Sequence, residues 1–312
     1  CGDYVILATI RSLLPKLGLK RENITFISGI GCSSRFPYYL ETYGMHSIHG
    51  RAPAIATGLA TVREDQSVWV VTGDGDAMSI GGNHLIHTLR RNVNLNILLF
   101  NNRIYGLTKG QYSPTSETGK VTKSSPMGSL DHPFNTLSLA LGAQGSFVAR
   151  ALDSDRKGLT EVLEAAALHR GTSFVEIMQD CPIFNDGSFD LLRKENAEDH
   201  IIRVRHGEKI IFGDEGQHCV IRSGFSLTVA ATADVDEADI IVHDAHTDDP
   251  AYAHALANLS SQDLEYTVMG IIRQIDRPTY DDQAREQVTV AKEASTADLQ
   301  ALLDGSNTWT VV

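Results

Sequence analysis

The chain predicts a doubly wound α/β fold with a mostly parallel sheet over residues 1–200, and a smaller C-terminal region, 201–312, packed on it. Three observations carry that expectation. Strand-like apolar runs alternate with helix-like segments as far as about residue 182, the pattern of a parallel sheet with helices on its faces. Two of the runs, 68–72 (VWVVT) and 95–100 (LNILLF), read as buried strands. Each leads directly into a polar turn, Gly73-Asp74-Gly75-Asp76 and Asn101-Asn102-Arg103-Ile104, at the strand end where open α/β sheets keep their ligands.

The elements follow in order. Asp3 is placed to cap a helix through Ile6, Ile10, Leu13 and Leu14. Residues 23–28 (NITFIS) read as a strand. Residues 54–61 are small and apolar, as in a packed helix, and Pro53 suits a first helical turn, where no N–H is needed. Residues 85–90 lie on a helix between the two buried strands, with Gly81 and Gly82 allowing close packing of its first turn. Residues 137–141 and 159–168 read as helices, and 173–178 (SFVEIM) closes the series as a strand. Residues 110–134 show little periodicity and read as a long surface loop, a length that is uncommon unless functional. After residue 200, charged stretches such as 234–239 and 244–249 interrupt the apolar runs.

The 312 residues carry a net charge of −12, which argues against a nucleic-acid surface. No apolar run approaches the ~20 residues of a membrane span. The chain opens on Cys1 rather than Met, so its natural start is expected upstream. Four widely separated cysteines, Cys1, Cys32, Cys181 and Cys219, do not suggest a disulfide framework, and a cytoplasmic setting is expected.

The turn at Gly73 carries the chemistry. Glycines let backbone approach a phosphate, and Asp74 offers a hard oxygen to Mg²⁺. Asn102 follows 28 residues later, at the end of the next strand, with one helix between. Two adjacent strand ends would bring both oxygens together. A Gly-Asp turn and an Asn-rich turn without metal is the plain alternative for either motif alone. Their order and spacing match the GDG…N signature of thiamine-diphosphate enzymes. That resemblance implies Asp74, the Asn102 side chain and the Ile104 carbonyl as protein ligands of Mg²⁺.

The stretches CGDYVIL, SGIGCSSRFP, HGRAPAIATG, GDGDAMSIGG, NNRIYGLTKGQ and QDCPIFND appear in this order. Together they resemble the β subunit of 2-oxoacid:ferredoxin oxidoreductases, of the 2-oxoglutarate type, over about residues 1–200. The stretch VMGIIRQIDRPTYDDQ is similar to the family's C-terminal region, less specifically. The resemblance implies thiamine diphosphate, Mg²⁺ and one [4Fe–4S] cluster. Cys1, Cys32 and Cys181 match three of its four cysteines, and the missing one would lie three residues before Cys1. Cys219 is read as a buried thiol.

The same resemblance implies oxidative decarboxylation of a 2-oxoacid to acyl-CoA and CO₂. Electrons would pass through the cluster to ferredoxin, and coenzyme A would take the acyl group. An α subunit would complete the active site, in an αβ or α₂β₂ assembly. Gly73, Gly75, Asp76, Gly106, Leu107, Thr108 and Ser33 are expected beside the cofactor. Arg35 is a candidate for the distal carboxylate of 2-oxoglutarate, since a guanidinium grips a carboxylate in two places, with an ordinary surface arginine as the alternative. His49 is a candidate contact to cofactor or substrate, or a turn histidine. Two other functions stay open: a non-oxidative thiamine-diphosphate decarboxylase without a cluster, and a member of the same family acting on pyruvate or branched 2-oxoacids.

Overall fold

The computed structural model describes residues 1–294, 298–309 and 311. Helix α1 (Asp3–Leu13) buries Ile6, Ile10 and Leu13 on one face, as their spacing requires. Asp3 is not its cap: Gly2 occupies the N-cap position and no side chain caps the helix. The Asp3 carboxyl is drawn inward instead, and burial, with Asp153 adding, pushes its pKa up to about 6.

Strand β1 (Ile24–Ser28), the exposed β2 (Tyr43–His46), α2 (Ala52–Val62) with Pro53 in its first turn, and β3 (Ser67–Gly73) follow. The Gly-Asp motif is not a bare turn. Asp74 starts a short helix, α3 (Asp74–Met78), which precedes α4 (Gly82–Arg91) and β4 (Leu95–Asn101). Of the two glycines between them, Gly81 has its backbone against α3, where a Cβ would meet the Asp76 carbonyl at 2.5 Å; Gly82 has open space.

Next come α5 (Thr136–Gly142), β5 (Phe147–Leu152), α6 (Arg156–Leu168) and β6 (Thr172–Met178). The sequence signals no strand at β5 because Arg150 interrupts its apolar pattern. All six of its residues are nonetheless buried, and Arg150 lies in register opposite Glu176 of β6, a carboxylate that makes its burial tolerable. The chain then adds β7 (Ile201–Val204), β8 (Ile211–Phe212), β9 (His218–Ser223), β10 (Ser226–Ala231), α7 (Pro250–Ala257), β11 (Thr267–Gln274), α8 (Tyr280–Ala294) and α9 (Leu299–Asp304).

The main sheet has eight strands in the order β2-β1-β3-β4-β6-β5-β11-β7. Every pairing from β2 to β5 is parallel, and β11 runs antiparallel to β5. The sheet thus extends across residue 200, where the sequence changes character, by taking in β7 and β11. Strands β8 to β10 form a separate antiparallel sheet, in which Cys219 is fully buried.

Alternate residues of one strand feed opposite faces of the sheet. Val68, Val70, Ile97 and Leu99 pack with α2 and α4, whereas Trp69, Val71, Leu98 and Phe100 pack with α1 and α6. This double burial explains why both strands read as continuous apolar runs. Among the described residues no helix is long and apolar enough to cross a membrane.

One topological feature positions the site. From β1 the chain goes outward to β2, and from β3 it goes the other way to β4. The winding therefore reverses between β1 and β3, and the crevice at such a reversal is where doubly wound sheets bind ligands. The turn after β1 carries Cys32 and Ser33, and the end of β3 carries Gly73 and Asp74.

Candidate functional site

A cavity of about 120 Å³ lies at this reversal, and it brings together most of the expected residues. Ser33, His49, Gly73, Asp74, Gly75, Asp76, Asn102, Ile104, Gly106, Leu107, Thr108 and Cys32 all line it. Arg35 does not: it is exposed, with its guanidinium 5.8 Å from the centre of the Tyr39 ring. It lines a neighbouring depression that shares Ile30, Gly31 and Leu107 with the cavity.

Asp74 is 2% exposed, and burial raises its carboxyl pKa against the opposing pull of its hydrogen bonds. Its Oδ2 accepts from Ser113 Oγ at 2.5 Å and lies 2.6 Å from Thr115 Oγ1. Both hydroxyls come from the 110–134 segment, which is therefore not all surface loop: Ser113, Thr115 and Ser116 are buried. A buried carboxylate with only neutral partners is a ready ligand for a cation. Asn102 caps its own turn, its Oδ1 accepting from the Ile104 N–H at 3.2 Å. Gly75 has no room for a side chain, because a Cβ there would collide with the Tyr105 ring, whose hydroxyl donates to the Gly75 carbonyl at 3.0 Å.

Asp76 behaves differently from its neighbour. Its Oδ1 accepts from the N–H of Gly50 at 2.7 Å, the N–H of Ile30 at 3.2 Å and His49 Nδ1 at 2.5 Å. Its Oδ2 accepts from Thr72 Oγ1 at 2.6 Å. The carboxylate is thus committed to protein donors and ties three segments around the cavity. With His49 Nδ1 donating to Asp76, the ring keeps Nε2 for another partner.

Three cysteine-bearing segments converge beside the cavity. The Gly2 N–H donates to the Asp180 carbonyl at 3.3 Å, which holds the Cys1 segment against the residue preceding Cys181. A Cβ built on Gly106 would stand 3.6 Å from Cys32 Sγ and 3.7 Å from Cys181 Sγ, so two sulfurs flank one bare backbone position. Burial raises the Cys32 thiol pKa, and Asp3 and Cys181 raise it further. Cys1 and Cys32 are exposed and Cys181 is buried, so the burial that acts on Cys32 is partial. Among the described residues no three His, Cys, Asp or Glu side chains close around a metal ion unaided.

Four residues at the site went unseen in the sequence. Ser113 and Thr115 lie in an aperiodic segment, and Tyr105 reaches Gly75 only across the fold. Gln179, which follows β6, lines the cavity at 2% exposure with its Oε1 buried and unpartnered. The unusual length of the 110–134 loop was the one available signal.

Comparison with known proteins accords with this geometry. Residues 29–177 match the thiamine pyrophosphate enzyme family, C-terminal TPP binding domain. The chain is 75% identical over 314 aligned residues to the 2-oxoglutarate oxidoreductase subunit KorB of Mycobacterium tuberculosis, covering 100% of this chain and 84% of that one. It is 39% identical over 194 residues to the 2-oxoglutarate synthase subunit KorB of Methanocaldococcus jannaschii, covering 62% and 72%. Among solved structures, 2-oxoglutarate:ferredoxin oxidoreductase from Magnetococcus marinus, with 2-oxoglutarate, coenzyme A and succinyl-CoA bound, matches with a TM-score of 0.77 and 31% identity. That match covers 98% of this chain and 91% of the other.

Proposed function

Given that the chain belongs to the β subunits of the 2-oxoglutarate:ferredoxin oxidoreductases, we propose that its site binds thiamine diphosphate through Mg²⁺ and passes electrons to ferredoxin through a [4Fe–4S] cluster. In that reading Asp74, the Asn102 side chain and the Ile104 carbonyl hold Mg²⁺. Gly73 leaves backbone open to the diphosphate, Gly75 lies beside it with its side-chain position taken by the Tyr105 ring, and Ser33, Asp76, Gly106, Leu107 and Thr108 line the cofactor. Cys1, Cys32 and Cys181 ligate the cluster. When bound, thiamine diphosphate supplies the electron sink for loss of CO₂, and the cluster supplies one-electron transfer.

The observation that carries the reading is the buried Asp74 carboxylate at the winding reversal, with oxygen ligands of the kind Mg²⁺ takes beside it. For the cluster, support comes from Gly106: two sulfurs flank a backbone that carries no side chain. The raised pKa of the Cys32 thiol disfavours its thiolate unless a metal centre balances the charge. A cavity of about 120 Å³ cannot enclose a cofactor of this size, since ligand sites usually span ~300–1,000 Å³. This supports an α subunit supplying the other wall, as αβ or α₂β₂, with coenzyme A and the 2-oxoacid entering at the interface. Free cysteines support a reducing, cytoplasmic setting.

His49, anchored through Nδ1, is assigned a cofactor contact through Nε2. Arg35 is assigned the distal carboxylate of 2-oxoglutarate, from the rim of the cavity. The variant Arg35→Leu is expected to lower kcat/KM for 2-oxoglutarate by about ten- to a hundredfold, the worth of a charged hydrogen bond, with a much smaller loss for pyruvate. Equal losses on both substrates would remove the assignment.

Iron and acid-labile sulfide per chain, measured on the assembled complex purified without oxygen, test the whole reading. About four irons per chain and a paramagnetic signal after reduction are expected. Absence of iron under those conditions would leave a thiamine-diphosphate enzyme of the non-oxidative kind.

A further inference from the structure

The turn that carries Asn102 is held from behind by a line of hydrogen bonds ending in a buried ion pair. Asn101 is the last residue of β4 and is 3% exposed. The orientation of its carboxamide follows from its neighbour: Glu176 Oε1 can only accept, so the atom 2.7 Å from it is Nδ2. Oδ1 therefore points the other way, where it accepts from the Arg103 N–H at 3.1 Å and lies 2.9 Å from Thr115 Oγ1. That same hydroxyl stands 2.6 Å from Asp74 Oδ2. At the far end, Arg150 Nε donates to Glu176 Oε2 at 2.6 Å, and another guanidinium nitrogen, Nη1, donates to Ser260 Oγ at 2.8 Å.

Stability alone is a poor reason for this pair. Replacing a buried ion pair by apolar residues is often neutral or stabilising, because both charges lose water. Here the two charges sit opposite each other on adjacent central strands, flanked on either side along the ladder by apolar pairs, Ala149 with Val175 and Ala151 with Ile177. What the pair does uniquely is fix which way Asn101 faces. An apolar residue at 176 would let the carboxamide rotate, and the 102–104 turn would lose the acceptor that receives the Arg103 N–H.

We propose that the Glu176–Arg150 pair is a positioning device for the Mg²⁺ site: through Asn101 it sets the turn bearing Asn102 and Ile104, and it places Oδ1 where it shares the single Thr115 hydroxyl proton with Asp74 Oδ2. The proposal rests on those three residues being the ligands of the ion. None of Asn101, Glu176 or Arg150 touches the ion, so their influence is on its affinity.

An exchange of partners tests this. The assembled complex is stripped of metal and cofactor with a chelator, and thiamine diphosphate binding is followed by calorimetry as Mg²⁺ is added. Asn101→Asp places a carboxylate that cannot donate opposite Glu176. Its Mg²⁺ half-saturation is expected to rise by about ten- to a hundredfold, the usual effect of losing a partner behind a ligand. Combining it with Glu176→Gln reverses the polarity of the bond at unchanged total charge, since Gln Nε2 can donate to the new Asp, and most of the affinity is expected to return.

Thr115→Val cuts the line at its other end and is expected to weaken Mg²⁺ binding, with Thr115→Ser restoring it. This pair decides the matter should Asn101→Asp not fold, as judged by thermal unfolding without metal. Unchanged Mg²⁺ dependence in folded variants, or a folded double variant no better than Asn101→Asp, overturns the positioning role. A wild-type complex that binds neither Mg²⁺ nor thiamine diphosphate overturns the ligand assignment beneath it instead.

Discussion

In the Asp74→Ala variant, Mg²⁺-dependent binding of thiamine diphosphate is expected to vanish while the metal-free protein keeps its stability. The two halves of this result have separate causes. In the proposed ligand set Asp74 would give the ion its one protein charge, supported by the neutral oxygens of Asn102 and Ile104, and neutral oxygens alone hold Mg²⁺ poorly. Folding, by contrast, gains little from this carboxylate. Burial raises its pKa, so the fold disfavours the charged form. A carboxyl raised in this way contributes stability fully below the ordinary aspartate pKa and loses it as pH rises through the folded value. Ala removes that slope. It also removes the Asp74 acceptor from both hydroxyls, but Thr115 keeps Asn101 Oδ1 at 2.9 Å and Ser113 lies 3.2 Å from Thr115 Oγ1, with which it can pair.

Thermal unfolding with and without Mg²⁺ and thiamine diphosphate reads both halves. Wild type at a hundredfold excess over Kd gains about 2.7 kcal/mol from the ligands, and the variant gains none. Isothermal titration giving unchanged cofactor affinity would sink the assignment.

The second large effect concerns the cysteines. Cys181→Ala is expected to drop iron from about four per chain to background, because the cluster loses a ligand. Thiamine diphosphate binding should survive, since Cys181 does not line the diphosphate cavity and the Gly106 backbone stands between them. Iron analysis of anaerobically purified complex, paired with the same calorimetry, gives both numbers. Iron retained at the wild-type level would reject Cys181 as a ligand.

The sequence revealed what depends on local pattern and hid what depends on distant partners. Strands β3 and β4 were legible because burial on both faces leaves each with an unbroken apolar stretch, 68–71 and 97–100. The Gly-Asp and Asn-Asn turns were legible because a special backbone position at a strand end leaves a local mark. Strand β5 was not: Arg150 looks like an interruption until Glu176 is seen opposite it. Ser113, Thr115 and Tyr105 carry no local mark at all. Asp3 sits where a cap would, yet the chain turns one residue earlier and carries it inward. Asp74 and Asp76 stand two residues apart in GDGD, and nothing local showed that α3 would give them different partners. One is left with neutral hydroxyls and the other is consumed by four donors.

The consumption of Asp76 bears on how a cofactor arrives. Its partners Ile30, His49, Gly50 and Thr72 are all protein groups, so the segments they belong to are fastened during folding and not on binding. Fixing the backbone of a single residue opposes association by roughly 1–2 kcal/mol in lost entropy, and a site assembled around its ligand bears that for every residue it orders. This wall of the crevice is already rigid. An incoming diphosphate therefore meets a preformed surface, and differences in affinity between related ligands report contacts made, with little contribution from rearrangement of this chain.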